Sequence, residues 1–181
     1  GNYFIFLDSD CVIPRDYIRN IRNYLVNIAY KDAFGGPDMA DAGFSTLQKA
    51  INYSMTSFIT TGGIRGGGEK LDKFHPRSFN MGYSQDVFRT TNGFSNLRFG
   101  EDIDMSIRII ESGFSTVLIK DAAVYHKRRT SFKQFYKQVY NSGIARINLY
   151  LRYPFSLKLV HVLPSLFVIG LATLALLSLF Y

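Results

Sequence analysis

The stretch Tyr3-Phe4-Ile5-Phe6-Leu7-Asp8-Ser9-Asp10 decides which fold we expect for this chain. Its five consecutive apolar or aromatic residues predict a β-strand that is buried on both faces. Because Asp8 and Asp10 follow directly, the strand delivers two carboxylates to the carboxyl edge of an α/β sheet, where open sheets bind ligands. Neighbouring carboxylates repel each other, so one interpretation is a divalent cation between them. The other is a polar turn in which Ser9 and Asp10 hydrogen bond to the backbone.

Length and composition favour one folded domain with a sizeable core. The chain has 181 residues, of which 47% are hydrophobic and 15% aromatic, and this composition excludes a disordered protein. Cys11 is the one cysteine, which excludes an internal disulfide framework and fits a reducing compartment. Because the sequence begins at Gly1, just ahead of a core strand and without a signal peptide, we expect an N-terminal part to precede it.

The positive charge is concentrated in the C-terminal part of the chain. The formal net charge is +7, yet no acid follows Asp121, while eight lysines or arginines do. Nucleic acid and anionic lipid are both usual partners of a basic segment. An apolar run adjoins this one, so we predict anionic membrane lipid as the partner and no nucleic acid.

That apolar run covers residues 159–181 and carries no formal charge. Its 23 residues are long enough to cross a bilayer, so we predict a transmembrane helix within residues 157–181. The alternative is a buried core helix. The basic and aromatic segment 131–156 predicts an amphipathic helix at the membrane interface. Basic residues precede the apolar run, and basic residues beside a membrane span favour the cytoplasmic side. We therefore predict that the N-terminal end of the span, and the domain that precedes it, lie in the cytoplasm.

Periodicity and turn residues predict the remaining elements. In chain order they are a helix after Pro14, a short strand at 33–37, a helix capped by Ser45, a strand at 79–83, a helix from Glu101 to Gly113, strands at 116–119 and 123–125, and a helix capped by Thr130 or Ser131. The glycine-rich segment 62–68 is either a phosphate cradle or a mobile loop, and its spacing matches no nucleotide-binding fingerprint. Acids at 101, 102 and 104 fit the positive end of a helix dipole.

Several motifs in a fixed order resemble the family 2 glycosyltransferases with a GT-A fold. They are Asp8-Ser9-Asp10, Asn80-Met81-Gly82, Gly93-Phe94, Arg98-Phe99-Gly100-Glu101-Asp102-Ile103-Asp104, Arg108, Gly113 and Val124-Tyr125-His126. The resemblance implies an α/β fold of GT-A type over residues 1–130, with a Rossmann-like mixed sheet flanked by helices. It also implies that the domain is incomplete at its N-terminus, where family members carry the part that binds the nucleotide base.

The resemblance assigns a donor side to the site. Asp8 and Asp10 match the Asp-x-Asp pair that holds Mg²⁺ or Mn²⁺ and the donor diphosphate. His126 lies where some GT-A enzymes place a further metal ligand, although a histidine that closes a strand is otherwise structural. The loop that contains Arg128 and Arg129 is expected either to close over the diphosphate or to meet lipid, and the sequence does not separate these uses.

The resemblance also assigns an acceptor side. Asp102 matches the general base of inverting members, and Glu101 lies beside it at the acceptor site. The segment Asn80, Met81 and Gly82 matches one that lines the acceptor. A metal-stabilised diphosphate leaving group and a carboxylate base together suffice for direct displacement with inversion.

The implied activity is therefore metal-dependent, inverting transfer of a sugar from a nucleotide-diphosphate sugar to a glycan or a lipid-linked acceptor. The chain lacks the Gln-x-x-Arg-Trp motif of processive members, since the residues after Gln138 include neither that arginine nor a tryptophan. A non-processive enzyme of cell-envelope polysaccharide synthesis at the cytoplasmic membrane is expected. The alternatives are a membrane-tethered, non-catalytic scaffold for glycan assembly and a haloacid dehalogenase-type phosphatase, which also places Asp-x-Asp after an apolar strand.

Overall fold

The structure is a computed structural model that describes residues 1–39, 43–57 and 74–179. These residues form a mixed α/β fold, which confirms the predicted fold class at that level. The glycine-rich segment 62–68 and the last residues of the apolar run, 180–181, lie outside the described residues. The predictions made for them therefore stay predictions.

The described part of the chain contains seven strands and six α-helices. The strands are β1 (Tyr3–Leu7), β2 (Cys11–Val12), β3 (Ala33–Gly35), β4 (Asp38–Met39), β5 (Asn80–Ser84), β6 (Thr116–Leu118) and β7 (Val124–His126). The helices are α1 (Tyr17–Asn23), α2 (Thr46–Thr56), α3 (Gln85–Thr91), α4 (Glu101–Glu111), α5 (Phe132–Arg152) and α6 (Leu163–Leu177). A π-helical turn over Tyr24–Ile28 extends α1, and two 3₁₀ turns, Pro154–Ser156 and Leu159–His161, join α5 to α6.

The strands form two sheets. The larger has the order β1-β5-β3-β6, in which β5 is antiparallel to both neighbours and β3 is parallel to β6. The smaller has the order β2-β7-β4, with β7 antiparallel to β2 and parallel to β4. The prediction that β1 is buried on both faces is wrong, since Phe4 and Ile5 are 39% and 37% exposed. As the edge strand of the larger sheet, β1 packs less completely than its neighbour β5.

The register of the smaller sheet determines what lies beside the Asp8–Asp10 turn. The backbone N–H of Cys11 donates to the carbonyl of Asp8 (3.0 Å), so the two acids occupy a tight turn between β1 and β2. Cys11 then pairs with His126 at the end of β7. Two residues separated by more than a hundred positions in sequence are neighbours because β2 and β7 pair.

The core lies around β3 and β5, where the chain passes very closely over itself. Phe34 of β3 is fully buried and lies over Gly82 of β5, where a Cβ atom would overlap its ring. Asn80 at the start of β5 accepts a hydrogen bond from the Tyr17 hydroxyl (2.6 Å) and donates one to the carbonyl of Ala122 (2.7 Å). These bonds satisfy the amide group inside the core, as buried polar groups require.

Helix boundaries follow the predicted capping residues. Ser45 forms a capping box with Gln48 at the start of α2, and the Ser131 hydroxyl accepts from the backbone of Gln134 at the start of α5 (3.3 Å). Helix α4 begins at Glu101 as predicted, and Gly113, with φ of 83°, follows its last turn.

Helix α4 is anchored to α5 by a fully buried carboxylate. Asp104 accepts hydrogen bonds from Arg108 Nε (2.9 Å), Arg152 Nη1 (2.7 Å) and the Tyr153 hydroxyl (3.0 Å). Arg108 also donates to the carbonyls of Thr91 and Gly93, which ties the loop after α3 into the same network. The start of α4, and with it Glu101 and Asp102, is therefore fixed by contacts from several elements.

The C-terminal segment differs from its prediction. The amphipathic helix forms over Phe132–Arg152, with Ala145 and Leu149 buried. The apolar segment forms α6, a helix of 15 residues that starts at Leu163 with Pro164 in its first turn. Among the described residues, no helix is long and apolar enough to cross a membrane. The transmembrane helix predicted within residues 157–181 is therefore not found in the described part of that segment, where a 3₁₀ turn occupies Leu159–His161 and α6 begins only at Leu163.

Candidate active site

The Asp8–Asp10 turn and the end of β7 bring three predicted site residues together. His126 Nε2 lies 3.2 Å from Asp10 Oδ1 and 3.8 Å from Asp8 Oδ2. Both acids are partly exposed, so a ligand can reach them from solvent. The three side chains that the resemblance assigned to a metal are therefore neighbours.

The acids in this cluster destabilise one another's charge. Burial raises the pKa of Asp8, and the negative charges of Asp10 and Asp102 raise it further, while His126 and Arg129 lower it. A cation bound between the acids would relieve this repulsion. The influence of Asp102 on Asp8 also indicates that the start of α4 faces the same edge of the fold.

Cys11 adds a sulfur atom to the cluster. Ligand atoms of Asp10, Cys11 and His126 all lie within 4.8 Å of one another. Burial, helped by the nearby carboxylates, raises the pKa of the Cys11 thiol to about 11, and the thiol faces the carbonyl of Phe79 at 3.5 Å. Mg²⁺ and Mn²⁺ prefer oxygen donors, so for these two ions Cys11 would be a neighbour of the ligands rather than a ligand.

The donor set fits a divalent cation. His126 Nε2 faces both carboxylates, Asp10 at 3.2 Å and Asp8 at 3.8 Å, and the ligand atoms that all lie within 4.8 Å of one another are those of Asp10, Cys11 and His126. The other ring nitrogen, Nδ1, is buried and has no hydrogen-bond partner among the described residues. The residues that would hold Mg²⁺ or Mn²⁺ are Asp8, Asp10 and His126.

The second pair of acids stands at the N-terminus of α4. Asp102 is 8% exposed; its Oδ2 accepts from Arg77 Nε at 2.5 Å, and its Oδ1 accepts from the backbone of Ile103 at 2.8 Å. These bonds fix the orientation of the Asp102 carboxyl group. Glu101 is more exposed, and burial together with the charges of Asp102 and Asp8 raises the pKa of its carboxyl.

The two arginines assigned to the donor side occupy different environments. Arg128 is buried; its Nη2 lies 2.6 Å from Asp38 Oδ2, and both Nε and Nη2 donate to Asn52 Oδ1 (2.9 and 2.8 Å). Arg129 is exposed, and its charge reaches Asp8. Arg129 is thus the member of the pair that is open to an anionic ligand, and diphosphate binding by either residue stays a prediction.

The segment assigned to the acceptor lies inside the fold. Asn80 and Met81 are 1% and 0% exposed, and Gly82 is buried against Phe34. The three residues are enclosed by protein in this arrangement, and the strand that contains them pairs with β1, which leads into the Asp8–Asp10 turn. Contact of this segment with an acceptor stays a prediction.

Sequence reasoning missed three residues that hold the site. Arg77, which pairs with Asp102, and Asp38, which pairs with Arg128, carry no local signal, because their partners lie 25 and 90 positions away. Asp104 is different, since Arg108 follows it at the i,i+4 spacing of a helical ion pair, and that spacing was readable.

Comparisons with known proteins do not assign the chain to a family. No model of a protein family matches the chain, and no curated protein matches it either.

Proposed function

We propose that this chain carries the metal-binding and acceptor-activating part of an inverting glycosyltransferase with a GT-A fold. The donor would be a nucleotide-diphosphate sugar, and the acceptor a glycan or a lipid-linked sugar. The observation that carries the proposal is the meeting of Asp8, Asp10 and His126 at one edge of the fold, with Glu101 and Asp102 close enough to influence the same carboxyl.

Each group then has one task. Asp8, Asp10 and His126 would hold Mg²⁺ or Mn²⁺, which would supply a Lewis acid for the charge that develops on the departing diphosphate. Arg129 would add an exposed positive charge on the same side. Asp102, oriented by Arg77, would accept the proton of the acceptor hydroxyl as that oxygen attacks the anomeric carbon from the face opposite the departing diphosphate.

Neighbouring residues support this division of labour. Glu101 shares the helix start with Asp102 and is more exposed, which suits a hydrogen bond to the acceptor. The Asp104 network fixes α4, so the distance between the base and the cation is set by a rigid helix. A glycosidase would also use a pair of carboxyl groups, but it matches less well, because hydrolysis needs a protonated acid beside the leaving oxygen.

Anionic membrane lipid is part of the same proposal. Helix α5 exposes Phe132, Tyr136 and Tyr140, each at least 60% accessible, and Lys133 and Lys137 lie on the same helix. An aromatic and basic helix of this kind binds the interface of an anionic bilayer. The acceptor would then be presented at that membrane, on its cytoplasmic side.

The test measures nucleoside diphosphate release from a panel of nucleotide sugars, in the membrane and soluble fractions of cells that express the protein. We expect release that depends on Mn²⁺ or Mg²⁺ and stops with chelator. Asp102→Asn should lower the rate at least about a hundredfold, and Glu101→Gln should lower it less. The reverse order would assign the base to Glu101. Absence of metal-dependent turnover with every donor would favour the scaffold.

A further inference from the structure

The buried side of His126 is unexplained by cation binding alone. Its Nε2 faces Asp8 and Asp10, but Nδ1 points inward, is shielded from solvent and has no hydrogen-bond partner among the described residues. A buried polar atom without a partner is costly and calls for an explanation. The nearest carboxylate on that side is Asp38, whose Oδ2 lies 4.0 Å from Nδ1.

The ring of His126 cannot easily turn this nitrogen elsewhere. Phe79 stacks on the imidazole with a centroid distance of 5.2 Å and an interplanar angle of 22°. The backbone of His126 is fixed by its pairing with Cys11. Ring plane and backbone together keep Nδ1 directed toward Asp38 and Nε2 directed toward the acids of the turn.

Asp38 is itself held in place by a buried cation. Arg128 Nη2 lies 2.6 Å from Asp38 Oδ2, and the Arg128 side chain is 5% exposed. Asn52 of α2 accepts from two nitrogens of the guanidinium, and Gln48 of α2 donates to the Arg128 carbonyl (2.9 Å). Three residues, Gln48 and Asn52 of α2 and Arg128 in the segment after β7, thus fix one carboxylate behind His126.

A histidine that ligates a metal through one nitrogen carries its proton on the other. That N–H is almost always donated to a carboxylate, a carbonyl or water, which fixes the tautomer and makes the ligating nitrogen a better donor. The 4.0 Å separation exceeds a hydrogen bond by about 1 Å, so a small shift of the Asp38 carboxylate or the ring closes it.

We propose that Asp38, held by Arg128, is a positioning residue that accepts the Nδ1 proton of His126 and so leaves Nε2 free to ligate the divalent cation. This role rests on the metal site of the proposed function. It explains why Arg128 is buried away from the donor side, and it makes the Arg128–Asp38 pair part of the cation site without direct contact to the ion.

The first test is Mn²⁺ affinity, measured by calorimetry or by electron paramagnetic resonance of free Mn²⁺ on the whole chain. We expect Asp38→Asn to weaken binding about 10- to 100-fold. In a His126→Ala background the same substitution should change affinity less than about twofold. The matched control is Asp16→Asn, an exposed acid paired with Arg19, which should leave affinity unchanged.

The second test reads the tautomer directly and does not depend on a variant that folds. Nitrogen-15 chemical shifts of His126 in the Mg²⁺-saturated wild type should show a protonated Nδ1 and an unprotonated Nε2. The role of Asp38 would be overturned if wild type bound Mn²⁺ while His126 kept its proton on Nε2. Equal Mn²⁺ affinity of wild type and Asp38→Asn would also overturn it. Neither result would contradict the metal site itself. Wild type that binds no cation would overturn the metal site as well.

Discussion

Replacing Asp104 by asparagine tests whether one buried carboxylate holds the site helix in position. Asparagine keeps the shape of the side chain but removes the charge and turns one acceptor oxygen into a donor. Asp104 is fully buried and accepts from Arg108, Arg152 and Tyr153 at 2.7–3.0 Å. The substitution therefore leaves two guanidinium groups facing a neutral amide.

The size of the effect follows from the exposure of the partners. Breaking a buried ion pair by removing one partner costs roughly 3–5 kcal/mol. The Arg108 and Arg152 side chains are 23% and 43% exposed, so water recovers part of their charge and the lower end applies. We expect a loss of about 3 kcal/mol in the free energy of unfolding, or roughly 6–12 °C in Tm for a chain of this size.

The assay is urea or thermal denaturation, with Asp86→Asn as the matched control. Asp86 also pairs with an arginine on its own helix, Arg89, at 3.3 Å, but both side chains are about two-thirds exposed. Such a surface pair contributes at most about 1 kcal/mol. Equal losses in the two variants, or a loss below about 1 kcal/mol for Asp104→Asn, would refute the reasoning.

The difference in stability between wild type and Asp104→Asn should depend on pH, and the direction of this dependence can be derived. Burial alone raises the pKa of Asp104, but the bonds from Arg152 and Tyr153 and the charge of Arg108 outweigh it, so the folded-state pKa lies below its usual value. The stabilisation is then complete above the unfolded-state pKa of about 4 and is lost as pH falls through the lower folded-state pKa. The stability gap between wild type and Asp104→Asn should therefore narrow in strong acid; a constant gap would contradict this.

Three further outcomes can be measured on the same chain. Gly36→Ala should lower the free energy of unfolding by at least about 2 kcal/mol, because the new Cβ would overlap the carbonyl oxygen of Ala122. Gly143→Ala, in the open middle of α5, should raise it by up to about 1 kcal/mol. Equal effects of the two substitutions in denaturation would contradict the close approach at Gly36. Cys11, with a pKa of about 11, should react with iodoacetamide at pH 8 roughly a hundredfold more slowly in the folded chain than in urea, as followed by mass spectrometry; equal rates would show an accessible thiol of ordinary acidity. Tyr17→Phe should cost about 1–3 kcal/mol by leaving the amide oxygen of the first β5 residue without its donor, and an unchanged Tm would exclude that bond.

Local sequence determined several of the elements and some of their ends. The apolar run before Asp8 gave β1, and the hydroxyls of Ser45 and Ser131 fixed two helix starts. Gly113 followed the end of α4 as expected. These features were predictable because they depend on hydrogen bonds and side-chain periodicity within a few residues.

The candidate site was only partly predictable. The Asp-x-Asp turn and the acids of α4 could be identified as candidates from order and spacing, and the resemblance added His126. The burial of Arg128 and of the segment from Asn80 to Gly82 could not be predicted. Both depend on which residues the sheets and α2 cover. The length of α6 was also misjudged, since an uncharged run does not show where a 3₁₀ turn will interrupt it.

By itself, therefore, the sequence determined where several strands and helices begin, which acids lie at their ends and that the fold is mixed α/β, but it did not predict β2, β4 or α3. Only the tertiary structure decided that Arg77 pairs with Asp102, that Arg128 pairs with Asp38, and that β2 and β7 bring His126 beside the turn. The physical reason is separation along the chain. A contact between residues tens of positions apart forms only when the packing of whole elements has fixed their relative positions, and no local pattern encodes that distance.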